Sequence, residues 1–266
     1  MGMSVSMVIP CYWDNQHLVE VTKRCISSLA FSAANEILIV DDGSRIKLTK
    51  ADIAPIDLQI ITREHNGGYA AAVNTGMKEA IGDIFVIANN DLVFIQPDWL
   101  DKLLHPIYND EADISLISQT DTDGWTPEEK YTHNAKFGAL WAITREAYER
   151  LGTLDERFGK GYFEDLDYWH RAQDKNMVII KNHAGIVEHI GKQTFKLVDE
   201  DDKLFGINMF KYNEKWPNDS YLVETKPNEV ILVDKYEYET KTPDEQRFIR
   251  NHAVTLEEAK ARWTNA

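Results

Sequence analysis

The sequence predicts an α/β fold, with a mostly parallel central sheet flanked by helices. Short apolar runs alternate with helical patterns through about residue 118, and this alternation is typical of strand–helix–strand units. Several of these runs are continuously apolar, as strands buried inside a sheet are. The runs end in polar or glycine-containing clusters, which indicate turns where the strands leave the sheet.

The first part of the chain divides into alternating strands and helices. The strand segments are 4–10, 36–44, 58–64 and 83–91, and the helical segments are 16–31, 66–82 and about 98–108. The first strand is expected to stop at Pro10, because proline cannot donate a ladder hydrogen bond. The helix within 66–82 follows a glycine-rich turn and closes at Gly82.

The chain after residue 118 is less regular. The segment 119–136 predicts an exposed loop, 137–152 a strand leading into a helix, 162–176 a helix, 177–191 two short strands, and 205–216 a helix. The end of the chain is charged and carries a terminal helical pattern, "LEEAKARW". We therefore expect a helical extension at the C-terminal end.

The composition excludes several classes of protein. The chain has 266 residues, 43% apolar and 27% charged, with a formal net charge of −15. Such an acidic surface repels nucleic acid. No apolar run approaches the ~20 residues of a membrane helix, no signal peptide is visible, and two cysteines make no disulfide framework. We expect a cytoplasmic protein without an integral membrane segment; peripheral association with a membrane stays open.

The charge also limits how the protein could bind a phosphate ester. The sequence contains no Lys/Arg cluster that would neutralise such a ligand. A divalent cation is the simplest bridge between an acidic protein and an anionic ligand.

Four polar clusters follow predicted strands. They are Pro10–Tyr12, Asp41–Ser44, Arg63–Gly68 and Asn89–Asp91. Because ligands of open α/β sheets bind at the carboxyl ends of the strands, these clusters predict a binding site along one edge. In the last cluster, Asn89 and Asn90 precede a single acid, Asp91. The cluster is either a plain turn or a metal site with one ligand missing, and the residues alone leave both open.

Six sequence blocks resemble a known family. They are "VIPCY", "EILIVDDGS", "NGGYAAAVNTG", "IANND", "LDERF" with "YFEDLDYWHR", and "VEHIG". Their order and rough spacing resemble family 2 glycosyltransferases, over about residues 4–216. The "IANND" and "NGGYAAA" forms look most like the branch that contains rhamnosyltransferases and galactofuranosyltransferases.

The resemblance implies a fold and a division into domains. Family 2 glycosyltransferases have the GT-A fold, in which a nucleotide-binding half-sheet is joined to an acceptor-binding half. The expected domain is 1–216, with a nucleotide-sugar half at 1–118 and an acceptor and catalytic half at 119–216. Residues 217–266 would form a C-terminal extension.

The resemblance also implies which residues contact the donor. It assigns Asp42, Pro10 and Tyr12 to the nucleoside, and a carboxylate can accept a hydrogen bond from a pyrimidine imide or a ribose hydroxyl. The alternative is that Asp41 and Asp42 only begin a turn.

A second group of donor contacts surrounds the glycine-rich turn. Asn66 and Gly67 precede the helix, where exposed N–H groups suit an anion; the alternative is a flexible helix start. By resemblance Asn74 faces the donor, and otherwise it is merely exposed. Asn89 and Asn90 are expected to be further donor-contacting amides.

The catalytic residues are expected in "FEDLD". The resemblance implies that Asp165 is the general base, which takes the proton from the acceptor hydroxyl, with Glu164 and Asp167 as neighbouring candidates. A single displacement with one base inverts the configuration at the anomeric carbon. The alternative is a solvated helix start, because acids in a first turn are favoured by the helix dipole.

The resemblance also suggests how the metal question is answered. In the family pattern an imidazole reaches back to the metal, and here that residue is His189. Asp91 and His189 would hold a cation, with donor phosphates and water as the other ligands, and Asn89 stands where the family often has an acid. Mn²⁺ is expected rather than Mg²⁺, because imidazole suits Mn²⁺ better.

The expected function is therefore that of a metal-dependent inverting glycosyltransferase. The donor would be a UDP- or dTDP-linked sugar and the acceptor a hydroxyl of a glycan or another molecule. One alternative is an inactive nucleotide-sugar-binding or scaffolding domain, since a fold does not guarantee activity. Another is a sugar-nucleotide pyrophosphorylase, although "VIPCYWDNQ" lacks the glycine-rich basic loop of those enzymes.

Overall fold

The structure of the protein is a computed structural model that describes most of the chain. The described residues are 2–29, 34–53, 56–119, 131–133 by backbone, 138–191, 203–226 and 229–263. They pack as two compact units. The first unit comprises Met1–Lys160 and Glu164–Val198, and the second comprises Gly161–Phe163 and Asp199–Ala266. The domain boundary expected at residue 216 stays a prediction.

The first unit is built on one large sheet. Its strands are β1 Val5–Cys11, β2 Glu36–Asp41, β3 Gln59–Thr62, β4 Ile84–Ala88, β5 Leu92–Val93, β6 Ile114–Gln119, β7 Tyr131–His133, β8 Leu140–Thr144 and β9 Ile179–His189. Among the described strands the order is β3-β2-β1-β4-β8-β6-β9-β5, with β7 paired to β9. Strands β1 to β4, β6 and β9 run in one direction, and β5, β7 and β8 run in the opposite one.

Helices cover both faces of this sheet. They are α1 Gln16–Ser28, α2 Lys50–Ile53, α3 Tyr69–Glu79, α4 Trp99–Tyr108, α5 Arg145–Leu151 and α6 Glu164–Asp174. Helices α1 and α4 pack in one apolar core, and α3, α5 and α6 pack in the other. Successive residues of β1 point alternately into these cores, Met7 and Ile9 into the first and Val8 into the second. Burial on both faces explains why this strand is continuously apolar.

The structure corrects several sequence predictions in the first unit. Strand β1 continues through Pro10 to Cys11. The segment predicted as two short strands is the single strand β9, whose pairing with β6 shifts register after Ile117. Within the predicted exposed loop, Tyr131–His133 forms a strand against β9. The remainder of that loop, 120–130 and 134–136, lies outside the described residues.

The second unit contains helices and a small sheet. Its elements are α7 Lys203–Lys215, β10 Ser220–Lys226, β11 Glu229–Asp234, α8 Lys235–Thr240, α9 Pro243–His252, β12 Ala253–Val254 and α10 Leu256–Trp263. The three strands pair antiparallel in the order β11-β10-β12. The helical extension expected from the sequence therefore also carries a sheet that the sequence analysis missed.

Two further properties concern the described helices and the two cysteines. Of the helices that the structure describes, none has the length and apolar character needed to cross a membrane. Cys11 and Cys25 are both buried free thiols.

Candidate active site

The parallel strands bring the predicted polar clusters to one edge of the sheet. Strands β1, β2, β3 and β4 are neighbours, run in the same direction and end at Cys11, Asp41, Thr62 and Ala88. Each cluster begins within about a residue of such an end, at the carboxyl edge of the sheet. The edge predicted from the sequence is therefore the one that the fold produces.

The two acids that follow β2 have different partners. Asp41 Oδ1 accepts a hydrogen bond from the backbone N–H of Ser44 at 2.8 Å, and Lys47 Nζ lies 3.1 Å from Asp41 Oδ2. Asp41 therefore holds its own turn together. Asp42 instead accepts hydrogen bonds from the backbone N–H groups of Gly67 and Gly68, at 3.1 and 2.7 Å.

The contacts of Asp42 connect two of the polar clusters, Asp41–Ser44 and Arg63–Gly68. Its carboxylate also lies 3.3 Å from Nε of Arg63. Burial raises the pKa of Asp42, although the two backbone donors and Arg63 oppose the shift. A carboxylate so placed can accept a hydrogen bond from a ligand at this edge while it fixes the start of α3.

The start of α3 contacts the loop that precedes the catalytic candidates. Gly68, at φ +90°, caps the helix. A Cβ added there would lie 2.1 Å from the carbonyl oxygen of Gly159 and 2.5 Å from Cα of Lys160. Both the positive φ and the close approach therefore require glycine.

Asn74 lies in the middle of α3, and its amide is used within the protein. Its Nδ2 donates to the carbonyl of Leu154 at 3.0 Å and to the carboxylate of Glu156 at 2.9 Å, and its Oδ1 accepts from the N–H of Leu154 at 2.9 Å. The alternative that Asn74 is merely exposed is wrong, because the residue is buried. These bonds anchor the 154–156 loop and give no support to a donor contact.

Pro10 and Tyr12 stand on either side of the end of β1. Pro10 is buried inside the strand, paired with Val40. Tyr12 is half-buried, and its hydroxyl lies 3.5 Å from a carboxylate oxygen of Asp14. Tyr12 is thus the member of this pair with exposed surface at the carboxyl edge.

The "IANND" segment forms a turn between β4 and the short strand β5. Asn90 Nδ2 donates to the hydroxyl of Thr22 on α1 at 2.9 Å, which gives Asn90 a structural use. Asn89 Oδ1 is buried and makes no hydrogen bond within the described part of the protein. Of the two amides, Asn89 is therefore the one with an oxygen available to a ligand.

Strand pairing brings Asp91 and His189 together. Leu92 of β5 pairs with His189 of β9, and the N–H of Ile190 donates to the carbonyl of Asp91 at 3.0 Å. As a result Nε2 of His189 lies 3.2 Å from Oδ1 of Asp91.

This pair fits a shared metal ion. Two ligands bonded to one octahedral ion at ~2.1 Å and at right angles lie ~3 Å apart, close to the observed separation. Within the ranges that the structure describes, no group of three or more His, Cys, Asp or Glu side chains could hold a metal. A cation at Asp91 and His189 would therefore need further ligands from a bound donor and water.

The first turn of α6 contains the three acidic candidates for the base. Asp167 is fully buried, and its Oδ2 lies 3.0 Å from Nε of Arg171. Asp167 therefore has a structural role in this arrangement. Glu164 is 6% exposed, and its Oε2 makes no hydrogen bond to any described residue. Asp165 is half-buried and accepts a hydrogen bond from the N–H of Leu166 at 2.7 Å.

The protonation states of Glu164 and Asp165 indicate which of the two could act as a base. Burial, followed by the charge of Asp165, raises the pKa of Glu164 to about 8. Burial also raises the pKa of Asp165, against the hydrogen bond from Leu166. Glu164 is then largely protonated at neutral pH, which leaves Asp165 as the acid suited to accept a proton.

Tyr69 is a candidate site residue that the sequence analysis missed. It is the first residue of α3. Burial raises the pKa of its hydroxyl well above the ordinary value, and a hydrogen bond with Trp141 opposes this shift. Three carboxylates, those of Glu164, Asp165 and Asp91, raise it further. The metal candidate and the base candidates therefore lie within electrostatic range of one hydroxyl. The aromatic residue directly after the glycine turn was the available sequence signal.

Known proteins similar to this chain are glycosyltransferases. The dolichol-phosphate mannosyltransferase of Pyrococcus furiosus is 34% identical over 120 residues, which cover 44% of this chain and 33% of that protein. The uncharacterized glycosyltransferase YwdF of Bacillus subtilis is 28% identical over 188 residues, covering 64% of this chain and 68% of that protein. The chain thus matches about a third of the length of the Pyrococcus enzyme.

Solved structures support the fold. S. aureus TarS 1-349 in complex with UDP-GlcNAc aligns with a TM-score of 0.62 at 16% identity, covering 81% of this chain and 67% of that one. The mannosyltransferase PcManGT from Pyrobaculum calidifontis, in complex with GDP-Man and Mn²⁺, aligns with a TM-score of 0.59 at 17% identity, covering 82% and 65%. At these identities the likeness concerns the fold, and it confirms the expected GT-A architecture.

The family itself follows from the sequence match. The family model described as Glycosyl transferase family 2 matches residues 6–169, more than half of the chain. That range includes the ends of β1 to β4 and the first turn of α6. The chain belongs to glycosyltransferase family 2.

Proposed function

We propose that the protein is a metal-dependent, inverting glycosyltransferase that moves a sugar from a nucleotide-sugar donor to an acceptor hydroxyl. The observation that carries this proposal is the pairing of Asp91 with His189, whose Oδ1 and Nε2 atoms lie 3.2 Å apart at the carboxyl edge of the sheet. The charges of Asp91, Glu164 and Asp165 each also raise the pKa of the Tyr69 hydroxyl, which supports the view that the metal and base candidates are near each other. Transfer from a diphosphate to a hydroxyl requires a metal candidate and a base candidate in one site.

Binding of the donor would use the carboxyl edge of β1 to β4. Asp42 and Tyr12 are the candidates for the nucleoside, and Asn89 contributes an amide oxygen that lacks a described partner. Asp42 keeps its two backbone hydrogen bonds to Gly67 and Gly68, and its remaining lone pairs are available to a ligand N–H or O–H.

A divalent cation would be held by Asp91 and His189, with Mn²⁺ favoured over Mg²⁺ because one ligand is an imidazole. When bound there, the cation supplies Lewis-acid stabilisation of the negative charge on the leaving nucleoside diphosphate. The protein's part is to hold both ligand atoms in place through the β5–β9 pairing.

Asp165 would act as the general base. Its carboxylate accepts the proton of the acceptor hydroxyl while the acceptor oxygen bonds to the anomeric carbon. The bond from that carbon to the diphosphate breaks in the same step, so the configuration inverts. Burial raises the pKa of Asp165. Its pKa is therefore closer to neutral pH than that of an ordinary aspartate, which favours proton transfer.

The donor panel for testing this proposal should cover three nucleotides. UDP- and dTDP-sugars are the donors expected from the sequence resemblance. The solved structures named above hold GDP-Man in one case and UDP-GlcNAc in the other. GDP-sugars therefore belong in any donor panel.

The test is turnover with a panel of UDP-, dTDP- and GDP-sugars, with and without Mn²⁺, measured as released nucleoside diphosphate. A thermal-shift series on the same panel reports binding, since a ligand specific for the folded state raises the melting temperature. Metal-dependent release supports the proposal. Binding without release, with glycan acceptors supplied, would favour an inactive binding domain. Release of pyrophosphate from a nucleoside triphosphate and a sugar phosphate would favour a pyrophosphorylase.

A further inference from the structure

Lys160 lies against the first turn of α3. The carbonyl oxygen of Gly159 and Cα of Lys160 approach Gly68 so closely that a Cβ at that glycine would lie 2.1 and 2.5 Å from them. Gly68 is the N-cap of α3 and follows Asn66 and Gly67 at the carboxyl edge of the sheet. The backbone of Lys160 is thus fixed next to the start of this helix.

The charge of Lys160 is not balanced within the protein. Its side chain is exposed, and no described residue forms an ion pair or hydrogen bond with it. Neighbouring cations are paired: Arg63 with Asp42 and Arg157 with Asp155. Lys78 is the other basic residue of the described chain that lacks such a partner.

The helix dipole distinguishes these two lysines. Lys78 lies in the last turn of α3, where a cation is stabilised by the negative end of the dipole. Lys160 lies at the opposite end, next to the N-cap Gly68, where the first-turn N–H groups favour an anion. The carboxylate of Asp42 already bonds to the N–H groups of Gly67 and Gly68, and a bound anion could pair with Lys160 and with the N–H groups that follow them.

Other groups at the same edge also lack protein partners. Asn66 Oδ1, and Oε2 of the buried Glu164, make no hydrogen bond among the residues described. Such atoms are uncommon in folded proteins unless a ligand or water completes them. Both atoms are oxygens that can accept hydrogen bonds from N–H or O–H groups of a ligand, and the unbalanced charge of Lys160 would pair with an anionic part of the same ligand.

We propose that Lys160 binds the diphosphate of the nucleotide-sugar donor, an inference that rests on the function proposed above. A lysine ammonium is a compact point charge on a flexible stem, which suits a phosphate group. It would supply the positive charge that an acidic chain without a Lys/Arg cluster otherwise lacks, alongside the cation at Asp91 and His189. In transfer it would also stabilise the charge on the departing diphosphate.

The test is calorimetric binding of UDP, dTDP and GDP, each with Mn²⁺, to the wild type and to Lys160→Ala, Lys160→Arg and Lys78→Ala. Removing a charge-assisted hydrogen bond should lower diphosphate affinity ~10- to 100-fold in Lys160→Ala. Lys160→Arg should retain most of the affinity, and Lys78→Ala, which removes the unpaired lysine at the far end of α3, should bind like the wild type. Uridine, thymidine and guanosine should bind all four proteins equally.

The outcomes separate this inference from the proposed function. If the wild type binds none of the nucleoside diphosphates, the proposed function is wrong and the role of Lys160 with it. If the wild type binds one of them and Lys160→Ala binds it within two-fold, only the role of Lys160 is wrong. An equal loss of nucleoside affinity in Lys160→Ala would also overturn the inference. The nucleosides carry no phosphate, so the loss would then come from a change in the loop and not from the missing charge. The melting temperature of each ligand-free variant checks that it is folded.

Discussion

Nε2 of His189 lies 3.2 Å from Oδ1 of Asp91, and backbone pairing holds the two residues at this distance. Leu92 and His189 are antiparallel partners, and the N–H of Ile190 bonds to the carbonyl of Asp91. The backbone pairing therefore brings the side chains together, in addition to their own 3.2 Å contact. This preorganisation allows either side chain to be removed with little change in the strands that carry them.

The first prediction concerns these two residues. Asp91→Ala should abolish Mn²⁺-dependent donor binding, because it removes the only carboxylate of the proposed metal site. His189→Ala should weaken Mn²⁺ binding and leave the protein folded. Calorimetry with Mn²⁺ and a nucleoside diphosphate measures both effects. A wild-type transfer rate that is unchanged in EDTA would show that no metal is used.

Asn89→Asp is the matched control for that prediction. It places a second carboxylate in the same turn, where Asn89 Oδ1 is buried without a described hydrogen-bond partner. The added charge should tighten Mn²⁺ binding or leave it unchanged. If Asn89→Asp were as damaging as Asp91→Ala, the segment would be a turn that contacts the donor through amides alone.

The sequence was sufficient to predict the sheet and the edge that carries the site. Continuous apolar strands such as β2 and β4 bury both faces, and parallel strands necessarily end at a common edge. The same reasoning could not predict β5 or the continuity of β9. Strand β5 has two residues, too few for a periodic pattern, and its existence depends on pairing with β9.

Side-chain partners were less predictable than strand ends. Asp41 and Asp42 are adjacent acids in the sequence, yet one closes its own turn and the other bonds to Gly67 and Gly68. Asn74 is an amide in a helix, and its use in anchoring Leu154 depends on a loop far along the chain. Such long-range contacts have no local signature, and this is why the sequence left the alternatives open.

The second prediction concerns Asp42. Asp42→Ala should weaken nucleotide binding by ~1–3 kcal/mol, because it removes a polar contact to the nucleoside and leaves the N–H groups of Gly67 and Gly68 unpaired. Asp42→Asn keeps an acceptor oxygen for one of these groups and should lose less. Calorimetry with the nucleotide measures the effect. Unchanged affinity in Asp42→Ala would limit Asp42 to holding the start of α3.

The third prediction concerns the general base. Asp165→Asn should lower the transfer rate ~10²-fold or more, because an amide cannot accept the acceptor's proton. Donor affinity should stay within a few-fold of the wild type. Asp167→Asn is the control, because its partner is Arg171: it should lower the melting temperature more than it lowers the rate per folded molecule. Near-normal turnover in Asp165→Asn would move the role of base to Glu164.

The fourth prediction follows from the protonation of Glu164. Its pKa in the folded protein is about 8, against an ordinary value of 4.5. Between these values the folded state holds a proton that the unfolded state has released. The free energy of unfolding should therefore fall as the pH rises through this window, with a slope of up to ~1.4 kcal/mol per pH unit from this group. The stabilisation is fully present below pH ~4.5 and is lost above about pH 8.

Urea unfolding of the ligand-free protein between pH 5 and 8 tests this prediction, and Glu164→Gln is the variant to compare. A glutamine resembles the protonated acid in shape and cannot ionise, so the variant should lose the part of the pH dependence that Glu164 contributes. Titrating groups remote from Glu164 act in both proteins and cancel in the difference, so the remaining change belongs to Glu164 and to Asp165, whose charge acts on it. Because Glu164 is protonated near neutrality, Glu164→Gln should also keep most of the transfer activity that Asp165→Asn loses. Equal pH dependence of stability in the two proteins would mean that Glu164 is ionised in the folded state, and its buried carboxylate would then need a cationic partner.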